Sequence, residues 1–225
     1  MYNDTLYKTL TNDHNEIIEI HYDNSPLNPL EDMDTLFHYD TWETRSVSLQ
    51  ENNYAGIDDF VDSFLGEEAF ETIESDCLSK QLSQLEFLNI ICQKLDRVGI
   101  FALPILKYEH SLVKYYIGDH IDRWDGSVVG FAWNYKSAIY DQFSLKRLSK
   151  QMKAKLEEII SFDLAIYTNW CNGDVFGYKR FDSSGEEVDS CWGFYNSDNV
   201  LEEILDHAQN HGEVFYEKLP ETVAA

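Results

Sequence analysis

Gly99-Ile100-Phe101-Ala102-Leu103-Pro104-Ile105-Leu106-Lys107 decides the fold. The apolar run after the glycine is short and reads as a strand. Residues 112–117 and 127–135 read as two more strands. Upstream, residues 78–98 carry Leu82, Leu85, Leu88, Ile91, Cys92 and Leu95 at three- and four-residue spacing, the pattern of an amphipathic helix. Gly99 sits where a helix C-cap glycine belongs. Helices and strands are interspersed along the chain without regular β-α-β alternation. This predicts an α+β fold: a mixed or antiparallel sheet, a C-terminal hairpin and several packed helices.

The flanks extend that reading. Glu16-Ile17-Ile18-Glu19-Ile20-His21-Tyr22 reads as a strand, ended by Asp23-Asn24-Ser25-Pro26-Leu27-Asn28-Pro29. Residues 57–65 form a short helix mixing Asp58, Asp59 and Asp62 with Phe60, Val61, Phe64 and Leu65. A helix over residues 149–170 starts at Ser149 as N-cap, with Leu156, Ile159, Ile160 and Leu164 on one face. Residues 174–182 and 187–195 flank Ser183-Ser184-Gly185 as a hairpin. Residues 199–211 form a last helix closed by Gly212. The composition shift near residue 98 suggests an acidic N-terminal region, 1–98, possibly an insert, and an α+β core region, 99–225.

The 225 residues are 44% apolar and 14% aromatic, enough to bury a core. Forty-one acids against seventeen bases give a formal charge of −24. Residues 1–86 hold net −17, residues 87–182 net +2 and residues 183–225 net −9. Solubility alone is served by a net charge of roughly 2 to 8. Such a surface repels phosphate, so direct nucleic-acid binding and anionic membranes are disfavoured. The N-terminus lacks the basic-then-apolar order of a signal peptide, and no apolar run is long enough to span a bilayer. A cytoplasmic location is expected. Cys77, Cys92, Cys171 and Cys191 form no Cys-x-x-Cys pair and read as reduced, mostly buried thiols.

Two blocks carry a recognisable pattern: Ile18-Glu19-Ile20-His21-Tyr22-Asp23-Asn24-Ser25-Pro26-Leu27-Asn28-Pro29-Leu30-Glu31-Asp32, and Gly173-Asp174-Val175-Phe176-Gly177-Tyr178 continued by Gly185-Glu186-Glu187-Val188-Asp189-Ser190-Cys191-Trp192-Gly193-Phe194-Tyr195. Between them lie Ile100-Phe101-Ala102-Leu103-Pro104-Ile105-Leu106-Lys107-Tyr108-Glu109-His110-Ser111 and Trp124-Asp125-Gly126-Ser127-Val128-Val129-Gly130-Phe131. In this order they resemble a family of small accessory proteins carried by bacteriophages, plasmids and integrative elements of low-GC bacteria. Positions 33–36 depart from the family pattern, and the acidic stretch of residues 44–98 is longer than in typical members. The resemblance implies a mobile-element context and carries over no catalytic residue.

Three constellations invite chemistry. Ser190-Cys191-Trp192-Gly193-Phe194 is similar to the Ser-Cys-Trp-Ala-Phe around a papain-like nucleophile, but Cys191 lies on a hairpin strand near the end of the sequence, with only His207 and His211 after it. His207 and His211, with Glu203 a turn earlier, have the spacing of two zinc ligands on a helix but no evident third-ligand set. Asp119, Asp122 and Asp125 before Gly126 are spaced by three, unlike an EF-hand loop. Phosphate-cradling and dinucleotide motifs are missing. No catalytic residue, metal or cofactor is therefore expected.

The acidic surface is the distributed signal. A compact chain of this length has a radius of gyration of about 17 Å, hence a diameter of roughly 44 Å. A duplex of that span carries about 26 phosphates, the same order as the −24. The expected function is a non-enzymatic anti-restriction or anti-CRISPR inhibitor that mimics nucleic acid. Its partner would be a host restriction–modification enzyme or CRISPR effector. The candidate contact acids are Asp58, Asp59, Asp62, Glu67, Glu68, Glu71, Glu74, Glu186 and Glu187. Phe37, Tyr39, Trp42, Tyr54, Phe60, Phe64 and Phe70 are interleaved with the N-terminal acids and divide between core and interface. The alternatives are an inhibitor or adaptor that binds protein without mimicry, and a cysteine- or metal-dependent enzyme.

Overall fold

The computed structural model describes residues 5–42, 54–195, 199–208 and 214–217. In chain order the elements are β1 (Leu6–Thr11), β2 (Ile17–Tyr22), α1 (Pro29–Asp32), β3 (His38–Thr41), α2 (Ile57–Leu65) and α3 (Ala69–Ser79). Then come α4 (Gln84–Arg97), β4 (Ile100–Glu109), β5 (Val113–Tyr116), β6 (Gly126–Tyr135) and α5 (Lys136–Phe143). The last are α6 (Lys150–Asn172), β7 (Phe176–Phe181), β8 (Glu187–Phe194), α7 (Val200–Ala208) and β9 (Tyr216–Glu217). Both sheets are antiparallel, so the α+β class with its C-terminal hairpin holds.

The chain divides into two compact units, Met1–Leu27 with Asn169–Ala225, and Asn28–Thr168. A division at residue 98 does not match this grouping. Residue 98 lies inside the second unit, where α4 turns through Gly99 (φ 92°) into β4 and packs against it. The shift in charge there separates an acidic helical layer from the sheet that it covers, and both belong to one core.

The first unit is a five-stranded sheet in the order β8-β7-β2-β1-β9. Alternation puts Ile18 and Ile20 on one face, where they meet Leu10, Phe176, Tyr178 and the α7 residues Val200, Ile204 and Ala208. Arg180 is buried here, and its guanidinium donates to Glu16 (3.0 Å) and to the Ala208 carbonyl (2.8 Å). The β7–β8 loop is closed by the Asp182 carboxylate, which accepts from the backbone N–H of Ser184 and Glu186.

The second unit holds the sheet β3-β6-β4-β5 between two helical layers. On one face Phe60 and Val61 of α2, Ile73 and Cys77 of α3, and Leu88, Ile91 and Leu95 of α4 pack on Ile100, Ala102, Phe131 and Trp133. On the other face lies α6. There Tyr39 donates to Asp163 (2.5 Å), and Tyr115 meets Tyr167 edge-on at 5.1 Å. Ser149 caps α6 by accepting from Met152 N–H, and Leu156, Ile160, Leu164 and Tyr167 are buried.

The single helix expected over residues 78–98 is two elements. Ser83 and Glu86 form a reciprocal capping box that starts α4, and Gln81 at φ 54° breaks the backbone before it. Leu78, where the expected helix begins, is 70% exposed at the end of α3. The last helix ends at Ala208 as described, and Gly212 lies outside the described residues.

The Tyr39–Asp163 pair yields a prediction. Burial holds the Asp163 carboxyl above its ordinary range, against the opposing effect of the Tyr39 hydrogen bond. A carboxyl raised on folding loses the fold stability as pH climbs from the unfolded to the folded pKa. Asp163→Asn keeps an acceptor for Tyr39 without the charge. It is expected to raise the urea midpoint at pH 7, with the gain vanishing below the unfolded value. A variant less stable than the parent at pH 7 would refute this.

Candidate functional site

The acidic surface is built on α2, α3 and the turn between them. Residues 54–79 contain eight acids and no base. The apolar positions fix which way these helices face: Phe60 and Val61 anchor α2, Ile73 and Cys77 anchor α3. Asp58, Asp59, Glu67, Glu68, Glu71, Glu74 and Asp76 are exposed, and Asp62 is half-buried. Glu71 and Glu74, three apart, are about 4.5 Å apart along the helix axis and share a face.

Two of the acids also hold structure. Asp59 accepts from Ala55 N–H (2.9 Å), and Asp62 accepts from Phe70 N–H (2.8 Å), which joins α2 to α3. Asp58 and Asp59 lie in the first turn of α2 and Glu71 in that of α3, where helix dipoles favour negative charge. The array has a basic border. Glu67 and Glu68 line one bank of a cleft of about 470 Å³, with Lys94 and Arg97 of α4 on the other and Leu65 and Ile73 among its lining residues.

Seven of the nine predicted acids are thus brought together in the second unit. Glu186 and Glu187 are exposed at the β7–β8 hairpin of the first unit. Asp76 belongs with the seven and was missed, although its place beside the buried Cys77 follows from the Ile73–Cys77 spacing. The interleaved aromatics are core. Phe37, Tyr39 and Phe60 are fully buried, and Trp42, Tyr54, Phe64 and Phe70 pack on the α2–α4 core. None is an exposed anchor.

The two motif blocks meet in the first unit. His21 of β2 is opposite Gly177 of β7, and Gly177 is opposite Trp192 of β8. Trp192 lies flat on Gly177: a Cβ there would come within 2.2 Å of the indole. Lys179 stands 6.0 Å from the indole ring, and His21 Nε2 is 3.2 Å from Glu19. Trp192 is 37% exposed, so one side of the indole rests on the sheet and the other faces water. Gly177→Ala is expected to lift the indole off the sheet. The cost should be about 1–3 kcal/mol, as for other overpacking changes. Urea denaturation measures it, and an unchanged midpoint would contradict the placement.

The constellations resolve geometrically. Tyr178 bridges Asp189 and His207, donating to the carboxylate at 2.6 Å with its oxygen 3.1 Å from His207 Nδ1. Burial, then the Asp189 interaction, pushes the Tyr178 hydroxyl well above its usual range. Cys191 is opposite Tyr178, and its thiol points to the Trp192 carbonyl, 3.8 Å away. His207 Nδ1 therefore engages the tyrosine, and this cluster joins α7 to the hairpin. Burial pushes the Cys92 thiol up to about 12. His211 lies outside the described residues. Asp122 accepts from the backbone N–H of Trp124 and Asp125, and Asp125 faces His110 at 3.5 Å. Among the described residues no three His, Cys, Asp or Glu side chains are grouped to hold a metal ion. No helix among them is long and apolar enough to cross a membrane.

Searches against protein-family models, curated proteins and solved structures return no match to the chain.

Proposed function

We propose that this chain is a non-enzymatic anti-defence inhibitor of mobile-element origin. In this reading it imitates nucleic acid and occupies the DNA- or RNA-binding groove of a host restriction enzyme or CRISPR effector. The observation that carries the reading is the α2–α3 array: exposed carboxylates, uninterrupted by a base, on helices anchored in an apolar core. Eleven residues of α3 extend about 16 Å at 1.5 Å per residue. A duplex of that length carries about ten phosphates, whereas α3 carries three acids and the eight acids of residues 54–79 are spread over both helices and their turn. The array is thus a sparser version of the charge that a basic groove expects.

The physics is electrostatic steering into that groove, with fast, salt-sensitive association. Because the helices are fixed before binding, little ordering entropy opposes it. Some carboxylates are already positioned by local hydrogen bonds, as Asp59 and Asp62 are.

The test is a cleavage panel. Purified restriction endonucleases and CRISPR effectors are assayed on their substrates with and without the full chain, at low and physiological salt. Inhibition of at least one, reversed by excess substrate duplex, is the expected result. Inhibition that excess duplex cannot relieve, or that an acid-scrambled variant of equal charge reproduces, would count against mimicry and favour an ordinary protein-binding inhibitor.

A further inference from the structure

The sheet of the second unit is open along part of one strand. β4 pairs with β6 from Ile100 to Tyr108, but β5 covers its other edge only at residues 106–109. Among the described residues no strand lies beside residues 100–105 on that side. The register identifies the backbone groups left over. Lys136 N–H donates to the Gly99 carbonyl (2.8 Å), and bonded pairs recur at every second residue of an antiparallel ladder. Phe101, Leu103 and Ile105, opposite Asn134, Ala132 and Gly130, therefore direct their backbone groups to β6. Ile100, Ala102 and Pro104 direct theirs the other way. Pro104 fits that alternation, because a proline in a strand belongs where its missing N–H faces an open edge.

This edge floors a cleft of about 370 Å³, lined there by Phe101, Ala102 and Leu103. Asn89, Gln93 and Arg97, four residues apart along α4, form one wall, and Lys153 and Glu157 of α6 form the other. Ala102 is 5% exposed, so its outward N–H and C=O open into the cleft and not into bulk water. Among the described residues no hydrogen bond reaches them. Buried backbone groups are nearly always paired. The side-chain amides of Asn89 and Gln93 are also without a hydrogen bond among the described residues.

We infer that this cleft is a peptide-binding groove, in which an extended segment of a partner protein adds to β4 as a strand and exchanges an N–H and a C=O with Ala102. A strand edge that gains a peptide strand is an established mode of recognition. The walls select backbone over charge. Arg97 and Lys153 are offset by Asp96 and Glu157, and Asp96 is already engaged by Lys136 at 2.8 Å and Lys153 at 3.6 Å. What remains is one donor and one acceptor on the edge, beside two amides that each donate and accept, which complements a peptide backbone. A second copy of this chain is disfavoured by its net charge of −24. The inference goes beyond the mimicry reading and does not require it.

The experiment uses the isotope-labelled full chain and a displayed library of short linear peptides. A peptide selected on the chain is synthesised with capped ends, and its binding is followed through the backbone amide resonances. Saturation is expected to move the Ala102 amide resonance downfield and to slow its exchange with water by at least about tenfold. Replacing single N–H groups of the peptide by ester oxygens should weaken binding about tenfold at alternate positions and leave the positions between unchanged, as a bound strand requires. Asn89→Ala combined with Gln93→Ala, both exposed, should weaken binding by a similar factor at an unchanged urea midpoint. Failure to select a peptide that perturbs Ala102, an ester scan without alternation, or a wall variant that binds like the parent overturns the inference. An Ala102 amide that exchanges in the free chain as slowly as those of Phe101 and Leu103 overturns it in favour of a segment of the chain itself as the occupant.

Discussion

Replacing Asp58, Asp59 and Asp62 by Asn together with Glu67, Glu68, Glu71 and Glu74 by Gln is expected to abolish inhibition and weaken partner binding by about 100-fold or more. Exposed charge pairs contribute only about 0.2–1 kcal/mol each, so Asp59→Asn alone should be mild. Seven together amount to several kcal/mol. The fold should survive, because the carboxamides keep the acceptors that Asp59 gives Ala55 and Asp62 gives Phe70. Lost dipole compensation at the starts of α2 and α3 costs a few tenths to about 1 kcal/mol per site, and relief of mutual repulsion offsets part of it. Circular dichroism and a urea midpoint establish folding, and titration against the inhibited enzyme gives the affinity. A folded sevenfold variant that inhibits as well as the parent would remove α2–α3 from the binding face.

The second large effect is on stability. Phe60 is fully buried, stacked on Phe131 at 5.0 Å and 13°, and it meets Tyr54, Phe64 and Trp133 edge-on. With Phe64, which meets Trp133 at 4.9 Å, it seats α2 on the sheet. Phe60→Ala should cost about 3–5 kcal/mol, from lost burial and the cavity that remains. Because α2 carries three of the array's acids, inhibition should fall with the folded fraction and recover when temperature is lowered to refold the variant. A loss under about 1 kcal/mol would mean that α2 does not pack on Phe131.

These predictions rest on features of unequal legibility. The 100–107 run was readable because its buried residues are contiguous and a glycine precedes it. The β7–β8 hairpin was readable from its loop composition, and α6 from a capping serine followed by helical spacing. The break between α3 and α4 was hidden because leucines at 78, 82 and 85 continue the helical period across it. Only the Ser83–Glu86 box marks the new start. β1 and β3 escaped notice because Leu6-Tyr7-Lys8-Thr9-Leu10-Thr11 and His38-Tyr39-Asp40-Thr41 are mixed in polarity, and the partner of β3, β6, is distant in sequence. The division into units was hidden for the same reason: β2 pairs with β7 across about 150 residues of chain.

For the site, the density of acids was plain in the sequence, and their outward direction followed once Phe60, Val61, Ile73 and Cys77 were placed inside. The fate of the interleaved aromatics was not. Phe and Tyr look alike as core and as interface, and only packing sorts them. Trp192 and Trp124 show the reverse case. One lies half-exposed on a glycine and the other stands in water, and neither burial follows from neighbours in the chain.

The most direct test of mimicry is a competition titration. The inhibited enzyme is bound to a labelled duplex, and the full chain is added at several salt concentrations. Duplex binding weakens steeply with salt, by about 10³–10⁵ between 50 and 200 mM for six to ten phosphate contacts. A folded carboxylate array condenses fewer counterions, so its affinity should fall less steeply. The prediction is mutually exclusive binding, with the chain's advantage over the duplex growing as salt rises. A ternary complex holding chain and duplex together on the enzyme would contradict the claim.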